Sequence, residues 1–209
     1  MLVLSQKDIW RQKALESMKL AQKPNEKLAA VREAYLLDII PNIRRVYEKT
    51  NQVRESFVLV HCAILSLSGF YAGTKDTSGT TYTQYVADFF PNGYAPDRLW
   101  KDLRNGLVHG YTVTRTYVLA HRHPEMHLYL RKGVKSERTG IPADLTFLNF
   151  ENFLDDFERA ASLYFEKVQA EPELLSKLCK RYDVAPPASY VSDEQRLQLM
   201  WKNNRQIKY

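Results

Sequence analysis

The chain has 209 residues, 44% hydrophobic and 26% charged, with thirty Lys and Arg against twenty-four Asp and Glu, a formal charge of +6. This composition excludes disorder over the whole length, because enough apolar and aromatic surface is present to offset the ordering entropy, and one core is the default at this size. No stretch reaches the roughly 20 consecutive apolar residues that a bilayer requires, and Cys62 and Cys179 lie too far apart in sequence to suggest a disulfide framework or a Cys-based zinc site. The chain therefore reads as a reduced, cytoplasmic protein with no membrane partner.

A first helix is expected over residues 5–22, with Ser5 as its N-cap and Pro24 and Asn25 ending it. A second follows from Asn25, with Leu28, Val31, Leu36 and Ile39 at helical spacing until Pro41 breaks or kinks it before Ile43, Val46 and Val53. Residues 57–71 leave almost no polar face and read as the buried central helix of a bundle. A glycine- and hydroxyl-rich loop over 73–81 lacks the Gly-Lys-Ser/Thr ending of a phosphate-cradling P-loop, and a short helix over 83–90 follows it. Asp97 then suits the cap of a helix carrying Leu99, Leu103 and Leu107 on one face, which frays at Gly106 and Gly110.

The period changes after Gly110. Residues 111–119 and 127–130 read as a β-hairpin turning near Pro124, with a third extended stretch at 145–148. Asn149 or Asn152 can cap the next helix, whose stripe includes Phe153, Leu154, Phe157, Ala160, Ala161, Leu163, Tyr164 and Val168. Beyond Pro172 come a short helix, the Pro186-Pro187 break and a polar C-terminal helix. The expected architecture is mainly α: an up-and-down bundle of about five helices over residues 1–171, with a β-hairpin insertion at about 111–148, and a helical extension over 172–209.

Charge is distributed unevenly. Residues 1–55 carry an excess of four basic groups and residues 97–139 an excess of five, while residues 144–171 carry an excess of five acidic groups. A solvated face accounts for any one such segment, but the basic ones also suit a polyanion.

The most basic of these segments contains Leu103-Arg104-Asn105-Gly106-Leu107-Val108-His109-Gly110-Tyr111. On a helix Asn105 and His109 are four apart and share a face, so the amide can hydrogen-bond the imidazole and fix its tautomer. Arg104 and His109 are five apart, about 140° around the axis, and would flank a groove that suits a phosphate. The guanidinium would bind non-bridging oxygens while the imidazole moves a proton, the two roles that cleave a phosphodiester without a metal or other cofactor.

Arg104, Asn105, His109 and Tyr111 resemble the R-N-x3-H-x-Y form of the R-x4-6-H signature of the HEPN superfamily, small helical domains found in many prokaryotic toxins and RNA-cleaving defence proteins. The bare pattern also matches Arg115 to His121 and Arg122 to His127, but only the first match follows a capped helix start and precedes a further bundle helix. The resemblance spans residues 25–170 as architecture and this one motif at residue level. It implies a homodimer whose two motifs form one cleft and metal-independent RNA cleavage to 2′,3′-cyclic phosphate ends. It also implies the role of toxin to a nucleotidyltransferase-type antitoxin. By position, Arg104 would bind the scissile phosphate, His109 would act as general acid or base, Asn105 would orient, and Tyr111 would be the residue modified by the partner. Where relatives carry an acidic or other polar residue on the central helix, this chain offers Ser66 and the nearby His61, and Trp100 lies four residues before Arg104.

Two other readings compete. The same residues would serve a non-catalytic module that binds RNA, a nucleotide or another protein, or a hydrogen-bond cluster that merely holds the helix end. His121, His123 and His127 could offer a divalent metal three imidazoles, but with no Asp or Cys nearby to complete a compact site they read more simply as a polar hairpin tip.

Overall fold

The computed structural model describes residues 22–110, 116–135, 142–185 and 187, so the expected helix over residues 5–22, the polar C-terminal helix and Tyr111 lie outside the described residues. Helix α1 (Pro24–Glu33) starts at the proline, whose fixed φ suits the first helical position. Pro41 does not break the helical path. A π-helical turn (Ala34–Ile39) widens the helix by one residue immediately upstream, with the Ile40 N–H donating to the Tyr35 carbonyl, and α2 (Ile40–Thr50) continues with Pro41 in its first turn. Proline removes an N–H and crowds the carbonyl four residues back, and the wider turn absorbs both effects. Asn51, at φ 56, ends α2 in the left-handed region that asparagine tolerates.

Helix α3 (Val53–Ala72) is the central helix that its apolar run predicts, burying Phe57, Val60, Ile64, Leu67 and Phe70 and ending on Gly73 at φ 70. It is long and apolar enough by composition to cross a membrane, but it is mostly packed inside the bundle, in contact with α2 and with later helices. Helix α4 (Gly79–Phe89) begins four residues earlier than its apolar pattern suggests. Ser78 and Thr81 form a reciprocal capping box, each side chain serving the other's backbone N–H.

The helix carrying the motif runs without interruption through α5 (Pro96–Arg98), a second π-helical turn (Leu99–Arg104) and α6 (Asn105–Gly110). Ala95, not Asp97, is its N-cap, because Pro96 takes the first helical position. Leu99, Leu103 and Leu107 are buried along one face, as their spacing predicts.

The insertion is a three-stranded mixed sheet, not a hairpin with a third strand beside it. Strands β1 (Tyr117–Ala120), β2 (Leu130–Lys135) and β3 (Pro142–Asn149) lie in the order β1-β3-β2, with β3 parallel to β1 and antiparallel to β2. Between β1 and β2 the chain makes a 3-10 turn (Pro124–Met126), and it is tied to the helices by His121 and His127. It therefore passes β3 and sets β2 on the far side.

Asn149 caps α7 (Phe150–Ala170), its side-chain oxygen accepting from the Asn152 N–H at 3.2 Å. Phe153, Leu154, Phe157, Ala160, Ala161, Tyr164 and Val168 are buried, whereas Leu163 is half exposed. Helix α8 (Pro172–Val184) packs on α1, α3 and α7 and sends Leu174 and Leu178 into the same core. Each fully buried large apolar side chain contributes about 1.5–3 kcal/mol relative to exposure, so these two leucines help hold α8 to the bundle.

Candidate functional site

The π-helical turn sets the geometry of the motif. It presents Trp100 and Arg104 together, with the guanidinium carbon 4.6 Å from the centre of the indole ring. The indole in turn lies 5.3 Å from the Tyr82 ring and is pressed against Gly79, where a Cβ would fall 2.4 Å from the indole nitrogen. The first turn of α4 thus backs Trp100, and Trp100 backs the cation while Nη1 makes the hydrogen bonds.

Arg104 Nη1 donates to Asn105 Oδ1 at 3.0 Å and meets His109 Nε2 at 3.2 Å. A guanidinium only donates, so Nε2 accepts here and the imidazole proton sits on Nδ1. Two expectations change. Asn105 holds the arginine, not the histidine, and Arg104 closes directly on His109 instead of leaving a gap between them. The long arginine side chain reaches around the helix across the separation that backbone spacing alone would leave open. His109 is exposed, while Arg104 and Asn105 are half-buried, so the contact lies at the surface end of the helix.

Beneath it His61 is fully buried on α3, its Nδ1 2.7 Å from the Tyr82 hydroxyl. Burial, reinforced by the Arg104 charge, pushes the His61 pKa down to about 3. His61 Nε2 and Arg104 Nε are both buried without a partner. Of the two support residues expected on the central helix, then, His61 lies under the motif. Ser66 lies beside Tyr35 instead.

Because the folded protein holds His61 neutral well below its ordinary value of 6.5, the unfolded chain binds the extra proton first, and the stability this group provides is complete above pH 6.5. We expect the urea midpoint to fall steadily as pH drops from 6.5 towards 3, and His61→Gln to flatten that slope. Unfolding titrations of the two proteins at several pH values provide the check.

The three histidines of the β region go to three separate places. His121 Nδ1 is 3.3 Å from the Tyr47 hydroxyl, which donates to Glu151. His123 meets Glu125 at 3.2 Å, and His127 bonds Asp156 and Tyr94 inside the fold. Among the described residues no three His, Cys, Asp or Glu side chains gather closely enough to hold a metal ion.

Sequence reasoning did not find Tyr82 or Gly79. Both stand some twenty residues before Trp100 and Arg104 and reach them only through the packing of α4, so no local spacing marks them. Comparison of the chain with protein-family models, curated proteins and solved structures finds no match.

Proposed function

We propose that this protein is a HEPN-like, metal-independent endoribonuclease. The observation that carries the reading is the contact between Arg104 and His109, one permanent cation and one titratable imidazole 3.2 Å apart at an exposed helix end in the most basic part of the chain. A phosphodiester entering there would draw Arg104 onto its non-bridging oxygens. His109 Nε2, released from the guanidinium, would then take the 2′-hydroxyl proton or, in its protonated form, give one to the leaving 5′-oxygen, yielding a 2′,3′-cyclic phosphate. Asn105 and Trp100 hold the guanidinium in place.

A homodimer fits this reading. Leu59 and Cys62 are exposed and Val58 is half-buried on α3, an apolar strip on the helix that carries His61, and a second copy covering it would bring two motifs together. In this scheme the protein acts in the cytoplasm as the toxin of a pair, with Tyr111 as the residue that a nucleotidyltransferase-type antitoxin modifies.

A second reading has its own support: the polar group beneath Arg104 is a neutral histidine and not a carboxylate. The same fold would then bind RNA or a nucleotide without cleaving it. The experiment is incubation of metal-free protein with RNA beside the His109→Ala variant. Cyclic-phosphate products from the wild type alone are expected. Equal products from both proteins would end the nuclease reading, and saturable binding with intact RNA would establish the second.

A further inference from the structure

The three-stranded sheet buries one of its two faces. Tyr117 and Leu148 enter the core, and Leu119 packs against it. The opposite face carries Val118, in register with Phe147, and Leu145, in register with Arg131. Val118, Leu145 and Phe147 are half-buried, and among the described residues they do not pack on the core, so the bundle does not close over this face. Tyr129 completes it. Its ring stands 6.0 Å from that of Phe147 and is 52% exposed, and no other Phe, Tyr or Trp among the described residues is exposed.

A strained backbone holds Tyr129 there. The Leu128 N–H donates to the Phe147 carbonyl at 2.8 Å while the Phe147 N–H donates to the Tyr129 carbonyl at 2.9 Å, so two residues face one in a bulge. Leu128 is left-handed at φ 59, a conformation that glycine adopts freely and leucine does not. Its side chain packs inward against the core and close to Gly93, where a Cβ would fall 3.1 Å from Leu128 Cδ1. With Leu128 drawn inward, Tyr129 turns out beside Phe147. Bulges re-aim side chains in this way near functional sites.

Positive charge lies on the same strand. Arg131, Lys132 and Lys135 are exposed, none has an ion-pair partner among the described residues, and β2 contains no acid. Asp144, across on β3, accepts from the Gly133 N–H at 3.0 Å and falls on the other side of its strand from Phe147. The sheet is also tied to the motif. The Thr116 hydroxyl donates to Asp102 at 2.9 Å, two residues before Arg104, and the Thr116 carbonyl accepts from the Thr146 N–H at 2.8 Å. From β1 to β2 is two strand spacings, about 10 Å, which a few nucleotides can cross.

Exposed rings beside unpaired cations suit a polyanion that carries flat faces of its own, and a single strand offers them where a duplex hides them. We propose that Tyr129 and Phe147, with Arg131, Lys132 and Lys135 around them, form a platform for single-stranded RNA, on which a base stacks while the cations hold phosphates. This rests on the nuclease reading only in taking RNA as the polyanion, and it adds where the strand lies beyond the scissile bond.

The test is binding of a short fluorescent 2′-O-methyl oligouridine, which lacks the attacking hydroxyl, to the full chain over a range of salt. Tyr129→Ala is expected to weaken binding about 5–150-fold, the loss that one stacked base gives, and Tyr129→Phe to bind as the wild type does. Replacing Arg131, Lys132 and Lys135 together by Gln should lower the slope of log affinity against log salt by about 2, whereas the same change at exposed Arg32, Lys49 and Lys180 should not. Unchanged affinity in Tyr129→Ala, or an equal loss of slope in the two triple variants, overturns the platform. So does a wild-type dimer that Tyr129→Ala dissociates without loss of binding, since the face would then meet a second copy. Because the probe cannot be cleaved, a failed nuclease reading leaves these results standing, and His109→Ala should bind it undiminished.

Discussion

If the proposed nuclease activity holds, Arg104→Lys lowers the rate of RNA cleavage by about 10²–10³-fold while leaving the protein folded, the loss typical of removing one charge-stabilising donor from a transition state. The two cations differ here in shape more than in charge. Arg104 lies over Trp100 and uses a single nitrogen, Nη1, to reach both Asn105 Oδ1 and His109 Nε2, which leaves Nη2, and Nη1 once His109 is released, for an anion. A lysine ammonium offers a point charge on a flexible stem, stacks less well on the indole and cannot grip two phosphate oxygens in one plane. The rate constant for a single turnover is the quantity to measure, with far-ultraviolet circular dichroism as the control for folding. A lysine variant within about threefold of wild type would mean that Arg104 contributes only charge, and the proposed role of its planar fork would fail.

Asp156→Ala is expected to destabilise the fold by about 3–5 kcal/mol, the cost of removing one member of a buried, hydrogen-bonded set. Asp156 is 5% exposed and accepts from the Tyr94 hydroxyl at 2.8 Å, from His127 Nε2 at 3.2 Å and from Arg159 at 2.9 Å. His127 Nδ1 accepts from the Asn149 N–H, so its proton is on Nε2 and aimed at the carboxylate. Burial alone would raise the Asp156 pKa, but the hydrogen bonds from His127 and Tyr94 and the Arg159 charge outweigh it and hold the group below its ordinary 3.8. A depressed acid contributes its stability above the unfolded value and loses it as pH falls through the folded one, so this contribution is intact at neutral pH. Alanine would leave the Tyr94 hydroxyl without its acceptor and the His127 proton with only the Tyr94 oxygen, whereas Asp156→Asn keeps one oxygen and should cost less. Chemical denaturation of both variants tests the ordering, and equal losses would show that the acceptor oxygen is not what matters.

Helices were legible in the sequence wherever one local pattern decided them. Leu99, Leu103 and Leu107 fall on one face by spacing alone, and residues 57–71 could hardly be anything but a core helix. Pro41 misled because the rule against proline inside a helix assumes an unwidened one, and a π-helical turn evades it. Strand pairing was less legible. Tyr117 and Leu130 both pair with Thr146, yet nothing local to either says that β3 stands between them, because the pairing is non-local. The motif's residues were legible from their types, but their connections were not. Asn105 bonds the adjacent arginine because an arginine side chain can turn back on its own helix, a freedom that helical angles do not capture.

The central position of β3 also bears on the order in which the chain acquires its structure. During synthesis β1 emerges well before β3, its partner in the sheet among the described residues, and β2 emerges with its partner still unmade. Strands β1 and β2 then wait for β3 until residue 149 is free. Closing such non-local pairings comes late, after the loop entropy has been overcome. The nascent chain thus carries Arg104 and His109 before it has a sheet, and the sheet can close only after its third strand has left the ribosome.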